Sequence, residues 1–233
     1  MLTFETHINQ SINQSINSLS MKTSILLFFS MLLLNSCVQL STFQTAKTVE
    51  KGSGEILVAI GGGGVSESFS DESIGFGTFE VAGRLGVGEK VDIGLKISHF
   101  ISYLADVKFQ FVGDKDSKFA MATGPGVGIY AFGLGTTIGQ LTVPLHMSVH
   151  PSERLGIYLT PRYSGQFAFG DESGSLNYLG GSVGFETGRK IKFGTDISYL
   201  RLLNEDGHGN TFEDFALGLF QVGFGLKFLI SGN

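Results

Sequence analysis

The chain has 233 residues, with 34 Gly, 4 Pro, one Cys and no Trp, and its net charge is −5. Charged residues make up 16% of it, below the roughly 25% of an ordinary soluble domain, and nothing indicates the basic face that binds nucleic acid. A single Cys excludes an intramolecular disulfide and a CxxC metal or redox motif, while the length suits one all-β domain.

The first predicted element is an apolar stretch that ends at the only cysteine. It begins at Met21-Lys22, continues as apolar residues 25–34 and ends in Asn35-Ser36-Cys37. A basic start, a short apolar run and a small residue are the anatomy of a secretory signal. The run is shorter than the about 20 residues of a membrane-spanning helix. Residues 1–20, which contain the polar repeat INQSINQSINS, would bury the basic start, so we expect the true start at Met21.

The end of this stretch, Leu34-Asn35-Ser36-Cys37, resembles the lipobox of bacterial lipoproteins. The resemblance implies a signal peptide over residues 21–36, cleavage before Cys37, and acylation of Cys37. In that family, the absence of Asp after the Cys implies no retention at the inner membrane. Several acyl chains anchor a protein stably, because each buried CH₂ contributes roughly 0.8 kcal/mol. The alternative is an ordinary buried Cys.

Residues 37–53 are polar and mixed and predict a tether between the lipid and a domain at 54–233. From Glu55 onward, apolar and polar residues alternate, as in VDIGLKIS at 91–98 and FQVGFGLKF at 220–228. Strict alternation predicts strands. We expect an all-β domain of about ten strands, near 54–62, 76–87, 91–99, 102–112, 117–129, 137–149, 154–167, 174–187, 191–202 and 213–229.

The predicted connections alternate in length. Short polar turns are expected near residues 88–90, 113–116, 150–153 and 188–190, and mostly longer links lie between them. Short turns on one side and longer loops on the other are typical of outer-membrane barrels. An even strand count returns the C-terminus to the starting side, so we expect the short turns, both ends of the domain and an anchor at Cys37 on the periplasmic side.

Three features predict that the apolar face points outward to lipid. Gly and Ala are frequent on the polar face, as a narrow lumen requires. Strands of 9–14 residues suit a tilted membrane strand of about 9–11, and closure into a barrel leaves no unpaired edge in hydrocarbon. Charges also occur in mid-strand, where compensating ion pairs could fill a lumen. The predicted lumen charge network consists of Glu80, Arg84, Asp92, Lys96, Asp106, Lys108, Arg162, Glu186, Asp196 and Lys227.

The last strand, FQVGFGLKFLISGN, resembles the final strand of small bacterial outer-membrane β-barrel proteins. In that family, alternating apolar residues with a late Phe form the signal for the outer-membrane assembly machinery, although this chain ends in Ser231-Gly232-Asn233 instead of an aromatic residue. The resemblance implies a single antiparallel up-and-down transmembrane barrel in the bacterial outer membrane.

Candidates for chemistry are few, and we predict no catalytic, cofactor-binding or metal-binding residues. Strand alternation places His146, Ser148 and Ser164 on the inward face of two neighbouring strands, and we interpret them as polar lumen residues. GGGG at 61–64 lacks the GK[ST] of a phosphate loop and predicts a flexible outer loop. The segments at 66–73 and 204–214 contain oxygen ligands without EF-hand spacing and are interpreted as solvated loops.

The leading hypothesis is a lipid-anchored outer-membrane barrel with a mostly filled lumen and a structural or surface-recognition role. The expected partners are membrane lipid and the assembly machinery, whereas the sequence names no ligand for the outer loops. The alternatives are a narrow pore for small solutes, a periplasmic lipid-anchored carrier resembling lipocalins, and an outer-membrane lipid hydrolase.

Overall fold

A computed structural model describes residues 40–66, 73–99, 101–132, 136–169, 175–205 and 218–231. The predicted signal peptide and Cys37 lie outside the described residues, as does most of both acidic segments, 66–73 and 204–214. Within the described ranges, no helix has the length and apolar character needed to cross a membrane.

The described residues form eleven strands that follow one another along the chain. Their bounds are β1 Gly54–Ser66, β2 Ser73–Gly86, β3 Val91–Ser98, β4 Ser102–Val112, β5 Phe119–Thr123, β6 Gly126–Phe132, β7 Thr136–Ser152, β8 Leu155–Phe169, β9 Ser175–Gly188, β10 Ile191–Glu205 and β11 Gly218–Ile230.

The strands close into one antiparallel barrel. Apart from β5 and β6, each strand pairs with its neighbours in sequence, and β1 also pairs with β11 from Gly54↔Ile230 to Ser66↔Gly218. Strands β5 and β6 both pair with β4 and with β7, so together they occupy one position of a ten-position wall. The predicted all-β barrel of about ten strands is therefore confirmed.

The predicted strand at 117–129 is interrupted at Gly124-Pro125, between β5 and β6. Proline has no N–H to donate to a ladder, but the carbonyl of Pro125 accepts the N–H of Val107 at 3.2 Å. The interruption thus keeps a hydrogen bond to β4 while the strand changes register.

The prediction that GGGG at 61–64 is a flexible loop is wrong. These residues continue β1 and pair with β11 on one side, at Gly61↔Gly223 and Gly63↔Gln221, and with β2 on the other. A Cβ at Gly63 would collide with the carbonyl oxygen of Phe220, so the close approach of β11 favours glycine here.

The connections of the two barrel ends differ in length. At one end, where β1 begins and β11 ends, the connections are 87–90, 113–118, 153–154 and 189–190; we call it the short-turn end. At the other end they are 67–72, 99–101, 133–135, 170–174 and 206–217; we call it the loop end. The predicted difference in connection length is present, but it depends mainly on the long connection 206–217. The link expected between the strands at 117–129 and 137–149 is short, because β6 and β7 extend into it.

The turn at 113–118 is stabilised by Asp114. Its Oδ1 accepts the Ser117 hydroxyl at 2.8 Å and the backbone N–H groups of Asp116 and Ser117 at 3.0 and 2.8 Å. These hydrogen bonds, first that of the Ser117 hydroxyl, lower the pKa of the Asp114 carboxyl, since they favour its charged form.

The two faces of the wall have opposite chemistry. The outward face is apolar, with Ile60 and Val127 exposed by 62% and 63%. Among the strand residues whose side chains the structure describes, Arg201 near the loop end of β10 is the one charged residue on the outward face. The inward face is polar and buried, and this is the direction that the sequence predicted.

Candidate functional site

The barrel lumen is occupied by the chain itself. Residues 40–49, here called the plug segment, lie inside the barrel, and Leu40, Phe43 and Ala46 are buried. The prediction of a tether over 37–53 is therefore wrong for these residues. Their polar composition suggested solvent, but their polar groups instead bond to the inner wall.

The plug segment touches the inner face of every position in the wall, which places it in the lumen and not against one side. The contacting wall residues include Leu57 of β1, Glu80 of β2, Lys96 of β3, Lys108 of β4, Ala122 of β5, Ser148 of β7, Arg162 of β8, Ser182 of β9, Asp196 of β10 and Gly223 of β11.

The segment runs from the loop end toward the short-turn end. Leu40 packs with Leu219, the second residue of β11, and with Leu200 and Tyr178. At the opposite end, residues 50–53 turn around Gly86, the last residue of β2, and the N–H of Gly52 donates to its carbonyl at 2.8 Å. The chain then enters β1.

Basic side chains of the wall bind the carbonyl groups of the plug segment. Lys96 Nζ donates to the carbonyl of Ser41 at 2.7 Å, and Arg162 Nη2 donates to the carbonyl of Leu40. Lys108 Nζ donates to the carbonyls of Thr45 and Lys47 at 3.3 and 2.9 Å. These charge-assisted bonds are stronger than neutral ones and satisfy carbonyls that have no strand partner.

Acidic side chains bind the N–H groups of the segment. Asp196 Oδ2 accepts the N–H groups of Thr42 and Phe43, each at 3.1 Å, and Asp92 Oδ2 accepts the N–H of Val49 at 2.8 Å. Phe43 has a φ of 46°, which is uncommon for a residue other than glycine. Successive N–H groups that converge on one carboxylate form an anion-binding nest.

The predicted lumen charges lie on the inner face, and four of them form one cluster. Arg84 Nη2 lies 2.5 Å from Asp92 Oδ1 and 2.7 Å from Asp106 Oδ2. Lys108 Nζ lies 3.4 Å from Asp92 Oδ2. Buried charges need such partners, and Asp92 is shared between the ion pairs and the plug segment.

The other six charges fall into two pairs and two separate residues. Lys227 lies 2.8 Å from Glu186 and Lys96 lies 3.6 Å from Glu80, whereas Arg162 and Asp196 bind the plug backbone. Sequence reasoning missed Glu55 and Lys192, which join Lys227 and Glu186. Both residues fall at inward-facing positions of the alternating pattern in β1 and β10, so the strand alternation was enough to predict that they face the lumen.

Small wall residues make room for the side chains of the plug segment. A Cβ at Gly223 would lie 2.8 Å from the Phe43 ring, and one at Gly225 would lie 3.3 Å from it. On the opposite wall, Ala46 packs against Ala120 and Ala122. The abundance of inward Gly and Ala therefore has a specific reason, which is the shape of the enclosed segment.

His146, Ser148 and Ser164, the polar residues to weigh for a lipid hydrolase, each have other hydrogen-bond partners. His146 Nδ1 lies 3.3 Å from the hydroxyl of Thr160, and Ser164 accepts a hydrogen bond from Gln140. Ser148 accepts the N–H of Ala46 at 3.1 Å and lies 3.0 Å from His150 Nε2. The hydroxyl of Ser148 is thus buried against the plug segment.

Two small cavities lie beside the plug segment. One polar cavity of about 40 Å³ is lined by residues that include Gln44, Asp106, His146 and Arg162. Another of about 10 Å³ lies next to Phe43 and Glu186. A carrier needs an apolar pocket inside the barrel, whereas the described inner face is mostly polar and binds the plug segment. Among the described residues, no group of His, Cys, Asp and Glu could hold a metal ion.

Comparison with known proteins gives structural similarity alone. No family model matches the chain, and no curated protein matches it. Solved structures that resemble it include Neisserial surface protein A, with 10% identity, a TM-score of 0.38, and coverage of 76% of this chain and 97% of that one.

Two further similar structures come from Escherichia coli and Yersinia pestis. The outer membrane protease OmpT from Escherichia coli has 10% identity and a TM-score of 0.45 and covers 83% of this chain and 99% of its own. Ail, the attachment invasion locus protein of Yersinia pestis, has 14% identity and a TM-score of 0.34 over 76% of this chain and 99% of its own. No activity or partner follows from similarity at this level.

Proposed function

We propose that this protein is a β-barrel of the bacterial outer membrane whose lumen is closed by its own N-terminal segment. The observation on which this proposal rests is the plug segment, which contacts the inner face at every position of the wall. Such an interior favours a structural or surface-recognition role over passage of solutes.

The chemistry of the outward face supports the membrane location. A Lys or Arg that faces lipid at the bilayer midplane costs about 2–4 kcal/mol, and Arg201 is the one outward charge among the strand residues whose side chains are described. A soluble barrel would present the opposite arrangement, with charges in water and apolar residues in the interior.

The lipid anchor is part of the same proposal. Acyl chains on Cys37 would hold the N-terminus at a membrane surface, and the residues next to Cys37 in the chain are those that fill the lumen. Anchoring and closure would then be functions of one short segment. The outer-membrane assembly machinery remains the partner that we expect for insertion.

Two measurements test this proposal. Heat-modifiable gel mobility of the outer-membrane fraction reports a closed, detergent-resistant barrel, and its absence would contradict the fold in the membrane. Planar-bilayer recording then compares the full chain with a variant in which residues 40–49 are replaced by a Gly/Ser segment of equal length.

We expect no steady channels from the unaltered chain and steady conductance from the Gly/Ser variant, because the replacement loses the packing of Phe43 and Ala46. A second replacement of equal length within the connection 206–217 serves as the control and should leave the barrel closed. Steady channels from the unaltered chain would overturn the closed-lumen proposal and favour the narrow pore.

A further inference from the structure

The direction of the plug segment bears on which side of the membrane the N-terminus lies. Leu40 is at the loop end, within a buried apolar cluster with Phe76, Tyr178, Leu200 and Leu219. Residues 50–53 are at the short-turn end, next to Gly86. Ten residues of the chain therefore cross the lumen before the first strand begins.

The N-terminal end of the plug segment lies level with exposed aromatic residues of the outer surface. On the outer surface, Tyr199 and Phe220 flank the rows of Leu200 and Leu219, and their side chains are exposed. The apolar cluster around Leu40 joins the plug segment to β2, β9, β10 and β11 at this level. Leu40 is therefore the end of the plug segment that lies nearest the loop end.

The chain length limits where Cys37 can be. Three residues separate Cys37 from Leu40, and an extended chain spans at most about 3.6 Å per residue, so Cys37 stays within roughly 11 Å of Leu40. That reach is too short to return through the lumen to the short-turn end, since the crossing by residues 40–49 uses ten residues.

We propose that the N-terminus of this protein passes through the lumen of its own barrel and that Cys37 with its acyl chains is anchored in the outer leaflet of the outer membrane. This inference rests on the proposed function, because outer-membrane barrels place short turns in the periplasm and longer loops outside. It reverses the periplasmic anchor that the sequence predicted.

The plug segment is held in the lumen by hydrogen bonds and apolar contacts along its length. Its backbone is fixed by Lys96, Lys108 and Arg162 on carbonyls and by Asp92 and Asp196 on N–H groups. Its N-terminal end is buried in apolar contacts. Withdrawal toward the short-turn end would break all of these contacts, so the outer position of Cys37 is linked to the closed lumen.

The test is labelling of single introduced cysteines with a membrane-impermeant maleimide on intact cells. Gln39→Cys reports the N-terminal side, Lys115→Cys reports the short turn at 113–118, and Asp171→Cys reports the connection between β8 and β9. Each is made in the full chain with Cys37 in place, and the unaltered chain is the control.

We expect labelling of Gln39→Cys and Asp171→Cys in intact cells, and labelling of Lys115→Cys only after the outer membrane is permeabilised. The inference is overturned if, in intact cells, Asp171→Cys is labelled and Gln39→Cys is not. It is also overturned if Gln39→Cys, like Lys115→Cys, is labelled only after the outer membrane is permeabilised. A short epitope inserted between Val38 and Gln39 repeats the measurement, and antibody staining confined to permeabilised cells overturns the inference as well.

Failure of the inference and failure of the proposed function give different results. If no variant shows heat-modifiable mobility in the outer-membrane fraction, the proposed function fails and the inference fails with it. If mobility is retained but residue 39 is reached only from the periplasm, the inference alone fails. Labelling of the unaltered chain in intact cells would place residue 37 outside while showing that its sulfur is not acylated.

Discussion

The two faces of β10 and β11 belong to the same backbone but meet different surroundings. Outward, Phe193 and Phe224 stack with ring centroids 6.3 Å apart, and the face has no formal charge until Arg201. Inward, Gly223 and Asp196 hold the ring and the N–H group of Phe43. The outer face needs only apolar bulk, which lipid accommodates, whereas the inner face needs a defined shape and defined hydrogen-bonding partners.

The largest expected difference between the faces comes from removing a phenylalanine ring. Phe43→Ala leaves a cavity between Gly223, Gly225 and Leu57 and should destabilise the barrel by about 3–5 kcal/mol. Phe220→Ala removes the same ring from the outward face, where acyl chains fill the space, and should cost less. Urea unfolding in phospholipid vesicles measures both, and equal losses would contradict the distinction between the faces.

Removal of a charge sharpens the same comparison. Asp92→Ala leaves Arg84, Lys108 and the N–H of Val49 without their shared partner and should destabilise by about 3–5 kcal/mol, as for other broken buried ion pairs. Arg201→Ala, which removes an exposed charge from the outward face, should change stability little. The same unfolding assay applies, with Asp92→Asn as an intermediate variant that keeps the shape. A loss from Arg201→Ala as large as that from Asp92→Ala would refute the assignment.

A charge introduced on the outward face tests the same difference between the two faces. Val183→Lys places an ammonium group among lipid tails near the middle of β9 and should cost about 2–4 kcal/mol. Val183→Leu is the matched control and should be close to neutral. The fraction of folded protein, read from the heat-modifiable band, reports the result. A fully tolerated Lys would show that position 183 meets water.

The smallest expected effect comes from adding one methyl group. Gly223→Ala places a Cβ 2.8 Å from the Phe43 ring, so the ring must move, with a loss of about 1–3 kcal/mol, as for other overpacked cores. Gly83→Ala on the outward face of β2 meets nothing within 4 Å and should be neutral. If both variants unfold alike, Phe43 does not occupy this position in the membrane.

The strands were predictable because a wall between lipid and a polar interior imposes a period of two on the sequence. The plug segment was not, because it is held mainly through its backbone. Hydrogen bonds to N–H and carbonyl groups do not depend on residue type, so LSTFQTAKTV at 40–49 shows no period. The sequence indicates the plug segment only indirectly. Small inward residues such as Gly223, Gly225 and Ala122 leave a volume in the lumen that the side chains of the wall cannot fill.

The GGGG stretch was misassigned for a related reason. Glycine lacks the side chain on which alternation depends, and its frequency in turns favoured a loop. In β1 the neighbouring strand approaches so closely that a larger residue at Gly63 is excluded. The break at Gly124-Pro125 escaped prediction because the residues on both sides keep the same alternation.

The position of the plug segment ahead of β1 determines the order of events during biogenesis. The seam between β1 and β11 closes along thirteen residue pairs, from Gly54↔Ile230 to Ser66↔Gly218. A terminus bearing several acyl chains would have to drag hydrocarbon past Asp92, Lys108 and Asp196 to thread a finished cylinder. If Cys37 is acylated as we propose, the plug segment would have to be enclosed while the seam is still open, and acylation would precede the pairing of β1 with β11.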